Sequence, residues 1–148
     1  MFRNILPPTY LVVAIILTVL IHFVLPIKVL IGMPWRLIGL IPLVLGGVMN
    51  LSADSSFKRS GTTVKPFERS TTLVTGGVFR ISRHPMYLGF ILIILGIAIL
   101  LGSISPYLVA ILFAIFLELV FIREEERMLK LQFGNEWEKY SARVRKWI

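Results

Sequence analysis

Residues 86–122 read MYLGFILIILGIAILLGSISPYLVAILFAIFLELVFI, with Glu118 the only charged side chain. Two apolar runs, 86–102 and 107–122, each approach the ~17–25 residues that a helix needs to cross the hydrocarbon core. Gly102 and Pro106 bracket the connection between them, which is too short for anything but a tight turn, so the two runs predict an antiparallel helical hairpin. Composition points the same way. The 148-residue chain is 56% apolar and 16% charged, against roughly 45–50% and about 25% in soluble domains. Its mean hydropathy is +0.82. The expected fold class is an all-α integral membrane helical bundle.

Upstream, residues 9–27 and 37–53 supply two more spans, giving four transmembrane helices in a single membrane domain, 1–148. The first follows Arg3, but no small-residue cleavage pattern follows it, so it reads as a retained span. Pro42, Gly46, Gly47 and Asn50 interrupt the second. The glycines would let a neighbouring backbone approach closely, and Pro42 predicts a kink. Residues 54–85 form a polar loop longer than an ordinary connection.

Downstream, Leu129, Phe133, Trp137, Tyr140, Val144 and Trp147 recur at helical spacing, which predicts an amphipathic tail helix within residues 123–148 that packs or lies on the membrane. Gly134 followed by Asn135 and Glu138 reads as a stop and a fresh start, so the fourth helix should outrun the membrane and a short second helix should begin near Glu136. No internal repeat is present.

With four spans, fourteen Lys and Arg fall on one side: Arg3; Lys58, Arg59, Lys65, Arg69, Arg80 and Arg83 in the loop; and seven in the tail. Only Lys28 and Arg36 fall on the other. By the positive-inside rule both termini, the loop and the tail helix are cytoplasmic. The formal charge of +8 is thus accounted for by topology and anionic lipid, and nucleic acid is not an expected partner. The absence of cysteine excludes disulfides, thiolate metal sites, palmitoylation and thiol nucleophiles.

The chemistry-bearing segment is Arg83-His84-Pro85-Met86-Tyr87-Leu88-Gly89, at the cytoplasmic mouth of the third span. An imidazole, a guanidinium, a phenol and a glycine converge there, where an anionic cofactor group would bind. Each also has a structural reading: Pro85 suits a first helical turn, Arg83 snorkels, Tyr87 belongs to an interfacial belt and Gly89 is a helix contact. In Arg123-Glu124-Glu125-Glu126-Arg127 three successive carboxylates cannot share one helical face, so no metal cage is expected. Glu118 and Glu125, seven apart, should share a face, and an intramembrane Glu118 needs a cavity or a partner. His22 reads as a packing histidine. Nucleotide-loop, zinc-protease and serine-hydrolase motifs are all missing, so a nucleotide-type cofactor would have to sit in a helical membrane site.

Leu73-x-x-Gly76-x-x-x-Arg80, then Arg83-His84-Pro85-Met86-Tyr87-Leu88-Gly89, then Glu125-Glu126-x-x-Leu129-x-x-x-Phe133-Gly134-x-x-Trp137-x-x-Tyr140-x-x-x-Val144 together resemble the isoprenylcysteine carboxyl methyltransferase family, over roughly residues 62–148. Phospholipid N-methyltransferases and NADPH-using sterol reductases carry a similar C-terminal half. The resemblance implies S-adenosylmethionine held by the last two spans and the tail, and a lipophilic or lipidated acceptor entering from the bilayer. It implies His84, Tyr87 and Gly89 at the cofactor, the carboxylate pair Glu125 and Glu126, and Arg143 at the reactive end.

Trp137 departs from the tyrosine common in the family. On this reading Arg83 completes the cofactor group, while Tyr87, Trp137 and Tyr140 line an adenine pocket or present ring faces to the sulfonium. Arg143 holds a carboxylate acceptor and Glu125 or Glu126 orients it, or serves as base for a lipid amine. Methyl transfer is an in-line displacement, so alignment and exclusion of water are the protein's main tasks. An NADPH-dependent lipid reductase and a non-enzymatic membrane scaffold are the competing readings.

Overall fold

The computed structural model describes residues 6–61 and 71–148. The described chain is helical, in the order α1 (Pro7–Val24), a 3-10 turn (Trp35–Gly39), α2 (Leu40–Arg59), a second 3-10 turn (Gly77–Arg80), α3 (Pro85–Leu101) and α4 (Ser105–Leu117). A π-helical turn (Glu118–Ile122) joins α4 without a break to α5 (Arg123–Phe133), and α6 (Asn135–Arg143) follows. Arg3, Lys65 and Arg69, part of the charge asymmetry, lie outside the described residues.

Proline starts three of these helices within their first two positions, where its fixed φ suits the helix and its missing N–H costs no bond. Pro42 obeys the same logic. The 3-10 turn hands over to α2 at Leu40, which puts Pro42 in the first turn of α2, so the mid-span kink expected from the sequence is replaced by a change of helix type ahead of it. The second helix outruns the expected span 37–53. α2 continues to Arg59, with Asp54 and Lys58 paired one turn apart at 2.6 Å.

α3 packs against α1, α2 and α4, and α1 packs also on α4. Two glycine pairs set the α2–α3 distance. A Cβ on Gly46 would lie 2.5 Å from the Gly89 carbonyl oxygen, and one on Gly96 would lie 2.7 Å from that of Gly39, so the two backbones touch where any side chain would separate them. Gly47, in contrast, has nothing within 4 Å of such an atom. Phe90, Ile94, Phe113, Leu117 and Phe121 fill the core among α1, α3 and α4.

The far end is tied by the backbone. Leu30 N–H donates to Gly102 O and Ile104 N–H to Lys28 O, while Gly102 takes the left-handed conformation that ends α3. His22 Nδ1 lies 2.7 Å from Ser103 Oγ there, so His22 is a half-buried, hydrogen-bonded histidine.

The outer faces of α1, α2 and α4 are apolar and exposed, with Val12, Ile16 and Leu20, then Ile41, Val44 and Val48, then Leu108, Ile111 and Ile115. A water-soluble monomer does not present such a surface. Pro7–Val24, Trp35–Arg59 and Ser105–Phe133 are long and apolar enough to cross a membrane, and the 17 residues of α3 are as apolar but shorter. The protein is a membrane protein.

The tail divides in two. Gly134, at φ 48°, ends α5, and α6 starts at Asn135, one residue before the expected start. α6 stops at Arg143, and Val144 is already extended, so the tail stripe does not run on as one helix to Trp147. Leu129, Phe133, Trp137, Tyr140 and Val144 pack around Ala53 and Phe79, whereas Trp147 joins the α1–α3–α4 core.

Candidate active site

At the N-terminal end of α3 a cavity of about 140 Å3 opens between the start of α1, the end of α2 and the top of α5. Leu6, Pro7 and Pro8 wall it on one side and Phe57 and Phe79 on another. Arg83, His84, Met86, Tyr87 and Phe90 come from α3 and the turn before it, and Glu125 comes from α5.

His84 stands immediately before α3, 3% exposed, at φ −125° and ψ 60°. Ser82 Oγ accepts its backbone N–H at 3.1 Å. Its Nε2 lies 3.3 Å from Glu126 Oε1 and its Nδ1 lies 3.8 Å from Glu125 Oε2, so two consecutive carboxylates face opposite edges of one imidazole.

Glu126 is the hub. Arg83 Nη2 lies 3.0 Å from its Oε1 and Lys146 Nζ lies 3.3 Å from its Oε2. Behind Arg83, the Trp137 ring centroid is 5.5 Å from the guanidinium carbon, an arrangement that favours its charge. Tyr140 Oη donates to Phe79 O at 2.7 Å. Burial pushes the Tyr140 hydroxyl up to about 12, with the charge of Arg83 working against it.

Arg83 and Glu125 line the cavity, and each has a buried side-chain atom that makes no hydrogen bond: Arg83 Nε, a donor, and Glu125 Oε2, an acceptor with only His84 Nδ1 at 3.8 Å. Leaving a buried donor or acceptor unpaired costs about 1–3 kcal/mol. A donor and an acceptor without hydrogen bonds on two residues of one small cavity are groups that a ligand with both an anionic and a cationic or hydroxyl end would satisfy, given a small turn of either side chain.

The structure thus brings together Arg83, His84, Tyr87, Glu125 and Glu126. It does not bring the other expected residues to the cavity. Gly89 faces α2, where an added Cβ would collide with the Asn50 amide and the Gly46 carbonyl; it serves helix packing, because it lies on the face of α3 turned to the glycine seam. Trp137 and Tyr140 are buried behind Arg83 and Phe79 rather than in the cavity. Arg143 is exposed. It falls one residue before Val144, and about 100° of helix per residue turns it away from the packed stripe.

Glu118 and Glu125 do not share a face, contrary to the seven-residue spacing. Glu118 borders a groove with Leu88, Ile91, Leu119 and Trp147, and Glu125 borders the cavity. The π turn between them takes up one extra residue, which rotates everything after it by about 100° relative to a regular helix. Glu126 inherits the register expected for Glu125. Lys146 went unnoticed in the sequence, although an intramembrane Glu118 called for a cation; Lys146 Nζ donates to Glu118 Oε1 at 2.8 Å. Phe57 and Phe79 were also missed, being lone aromatics flanking a polar stretch.

A model of the phospholipid methyltransferase family matches residues 35–136, from the first 3-10 turn into α6. Protein-S-isoprenylcysteine O-methyltransferase B of Arabidopsis thaliana is 36% identical over 112 residues, covering 72% of this chain and 55% of that protein. A probable protein-S-isoprenylcysteine O-methyltransferase of Oryza sativa subsp. indica is 33% identical over 112 residues, covering 72% and 57%. Among solved structures, a eukaryotic intramembrane Ras methyltransferase, isoprenylcysteine carboxyl methyltransferase, superposes with a TM-score of 0.69 at 27% identity, over 96% of this chain and 52% of its own. The chain spans about half the length of these relatives. It belongs to the phospholipid methyltransferase family, and its resemblance to isoprenylcysteine carboxyl methyltransferases holds in sequence and in fold.

Proposed function

We propose that this protein is a membrane methyltransferase that uses S-adenosylmethionine, binds it at the cavity beside α3, and methylates a lipophilic acceptor drawn from the bilayer, with an isoprenylcysteine-like carboxylate as the first candidate. The observation that carries the reading is that Arg83 and Glu125 line one cavity, each with a buried side-chain atom that makes no hydrogen bond, Arg83 Nε and Glu125 Oε2. The aminocarboxylate end of S-adenosylmethionine presents a carboxylate for such a donor and an ammonium for such an acceptor. Family membership supports the same cofactor class.

When bound, the cofactor supplies a sulfonium-activated methyl group. Arg83 offers positive charge and N–H donors, and Glu126 lies against both Arg83 and His84. Glu125 lies on the cavity wall with Tyr87. Phe57, Phe79, Met86 and Phe90 wall off water, which strengthens these electrostatic contacts and confines the reaction to an in-line approach. No side-chain nucleophile is required.

The topology proposed with this function has four crossings, α1, α2, α3 and α4, with both termini, residues 54–85 and a C-terminal amphipathic helix on the cytoplasmic side, from the asymmetry of Lys and Arg. Lys28 and Arg36 lie at the opposite end of the bundle, beside the α3–α4 turn, as this arrangement requires.

An NADPH reductase needs further cations for the extra phosphates, and Arg83 is the only Lys or Arg among the described residues lining the cavity. Calorimetry of the purified protein in detergent and in lipid, with S-adenosylhomocysteine and NADPH in parallel, decides between them. Affinity for S-adenosylhomocysteine below millimolar is expected. NADPH binding in its place makes the protein a reductase, and binding of neither makes it a scaffold.

A further inference from the structure

Residues 144–148 return from α6 as an extended strap across the start of α3. Arg83 N–H donates to Arg145 O at 3.1 Å, and Ser82 Oγ donates to Lys146 O at 2.9 Å. Ser82 in turn accepts the backbone N–H of His84. Trp147 anchors the strap by packing into the α1–α3–α4 core. Lys146 is the only strap side chain for which ion pairs are seen among the described residues, and it makes two: 2.8 Å to Glu118 Oε1 and 3.3 Å to Glu126 Oε2.

Lys146 is therefore built in from several sides. The π turn brings Glu118 and Glu126 into one register, the strap hydrogen bonds fix the Lys146 backbone, and its ammonium divides Glu126 in two, taking Oε2 and leaving Oε1 to Arg83 and His84. A lysine ammonium has three donors and no directional fork, so it joins two carboxylates on different turns. Its pKa is raised, first by the hydrogen bond to Glu118 and further by Glu126, over the opposing effect of burial.

We propose that Lys146 is a positioning residue: by holding Glu126 Oε2 it sets the orientation of Arg83 and His84 at the cavity, and so couples the strap to ligand binding. It touches no cavity group directly. The part concerning affinity rests on the S-adenosylmethionine reading above; the part concerning His84 does not.

The test uses the two histidines of the chain, His22 and His84, at opposite ends of the bundle. In protein labelled with 15N-histidine, with signals assigned through His22→Asn, Lys146→Met should shift the His84 ring resonances and leave those of His22 in place, and Lys146→Arg should restore them. S-adenosylhomocysteine affinity should fall roughly tenfold in Lys146→Met, the loss of about one charge-assisted contact's effect, and recover in Lys146→Arg. If Lys146→Met does not fold, Glu118→Gln, which loosens Lys146 from its other side, should move the His84 signals in the same direction by less. Unmoved His84 signals in a folded Lys146→Met, or in Glu118→Gln where only that variant folds, overturn the proposal. Wild-type protein that binds no S-adenosylhomocysteine removes the cofactor reading, and the positioning role then stands or falls on the His84 signals alone.

Discussion

Glu118 and Glu126 hold the same ammonium, that of Lys146, although eight positions separate them. In a regular α-helix residues eight apart are about 80° out of register, and the extra residue of the π turn brings them back to within about 20°. That adjustment makes Glu126 the common partner of Arg83, His84 and Lys146, and turns Glu125 toward the cavity. Glu126→Gln leaves three cationic or donor groups without their shared carboxylate. Removing one member of a partly buried charge cluster should cost about 1–3 kcal/mol of stability, less than the loss for a fully buried pair. Glu124→Gln, which removes the exposed pair with Arg127 at 2.8 Å, should cost less than Glu126→Gln. Thermal unfolding in one detergent compares the two.

Tyr140 predicts an alkaline weakness. Its folded-state pKa is raised from 10.0 to about 12, so between these values the unfolded chain releases the proton first and gains relative to the folded one. The stabilisation is complete below pH 10 and is lost as pH climbs toward about 12. Tyr140→Phe should lower stability by about 1 kcal/mol at neutral pH, through loss of the bond to Phe79 O. It should also flatten the decline across that alkaline window. An unfolding series at rising pH, wild type against variant, reads both effects; a parallel decline in the variant would assign it to other groups.

Much of the bundle was legible because apolar length and turn chemistry are local properties. The run ending at Ile122, Gly102 at the hairpin and Gly134 before α6 each announce themselves in a few neighbouring residues. What depends on register was hidden. Nothing in the residues Glu118–Ile122 marks a π turn, so the face assigned to Glu125 was wrong by about one residue of rotation. Arg83, His84 and Tyr87, expected at the cofactor, share one cavity with Glu125, expected beside Arg143, whereas Trp137 and Tyr140, expected to line an adenine pocket, pack behind Arg83 and Phe79, because an aromatic stripe does not reveal which neighbour it packs on. Lys146 looked like one more cytoplasmic charge.

The α2–α3 seam separates two adjacent glycines. Gly46→Ala puts a methyl 2.5 Å from the Gly89 carbonyl oxygen, a backbone atom that only helix displacement can relieve, and should destabilise by about 1–3 kcal/mol as overpacking does. Gly47→Ala meets nothing within 4 Å and should hold or gain stability by up to about 1 kcal/mol from helix propensity. A lowered melting temperature for Gly46→Ala beside an unchanged or raised one for Gly47→Ala is the expected pattern. Equal effects would show that the seam is loose.

Arg83 and Arg143 make opposite predictions in the binding reaction. Arg83 Nη2 lies 3.0 Å from Glu126 Oε1, its Nε is buried without a hydrogen bond, and its guanidinium carbon lies over Trp137 at 5.5 Å from the ring centroid. A lysine keeps the charge but has no second, angled donor and no plane to stack, so it must choose between Glu126 and the ligand. Arg83→Lys should weaken S-adenosylhomocysteine binding roughly tenfold, near the value of one charge-assisted hydrogen bond. Arg143 is exposed at the end of α6 and away from the cavity lining, so Arg143→Lys and Arg143→Ala should bind within twofold of wild type and, with a lipophilic acceptor in hand, turn over at a similar rate. A large loss of turnover in Arg143→Lys with binding preserved would restore Arg143 as the fork that orients the acceptor, and would require residues 135–143 to swing toward the cavity during the reaction.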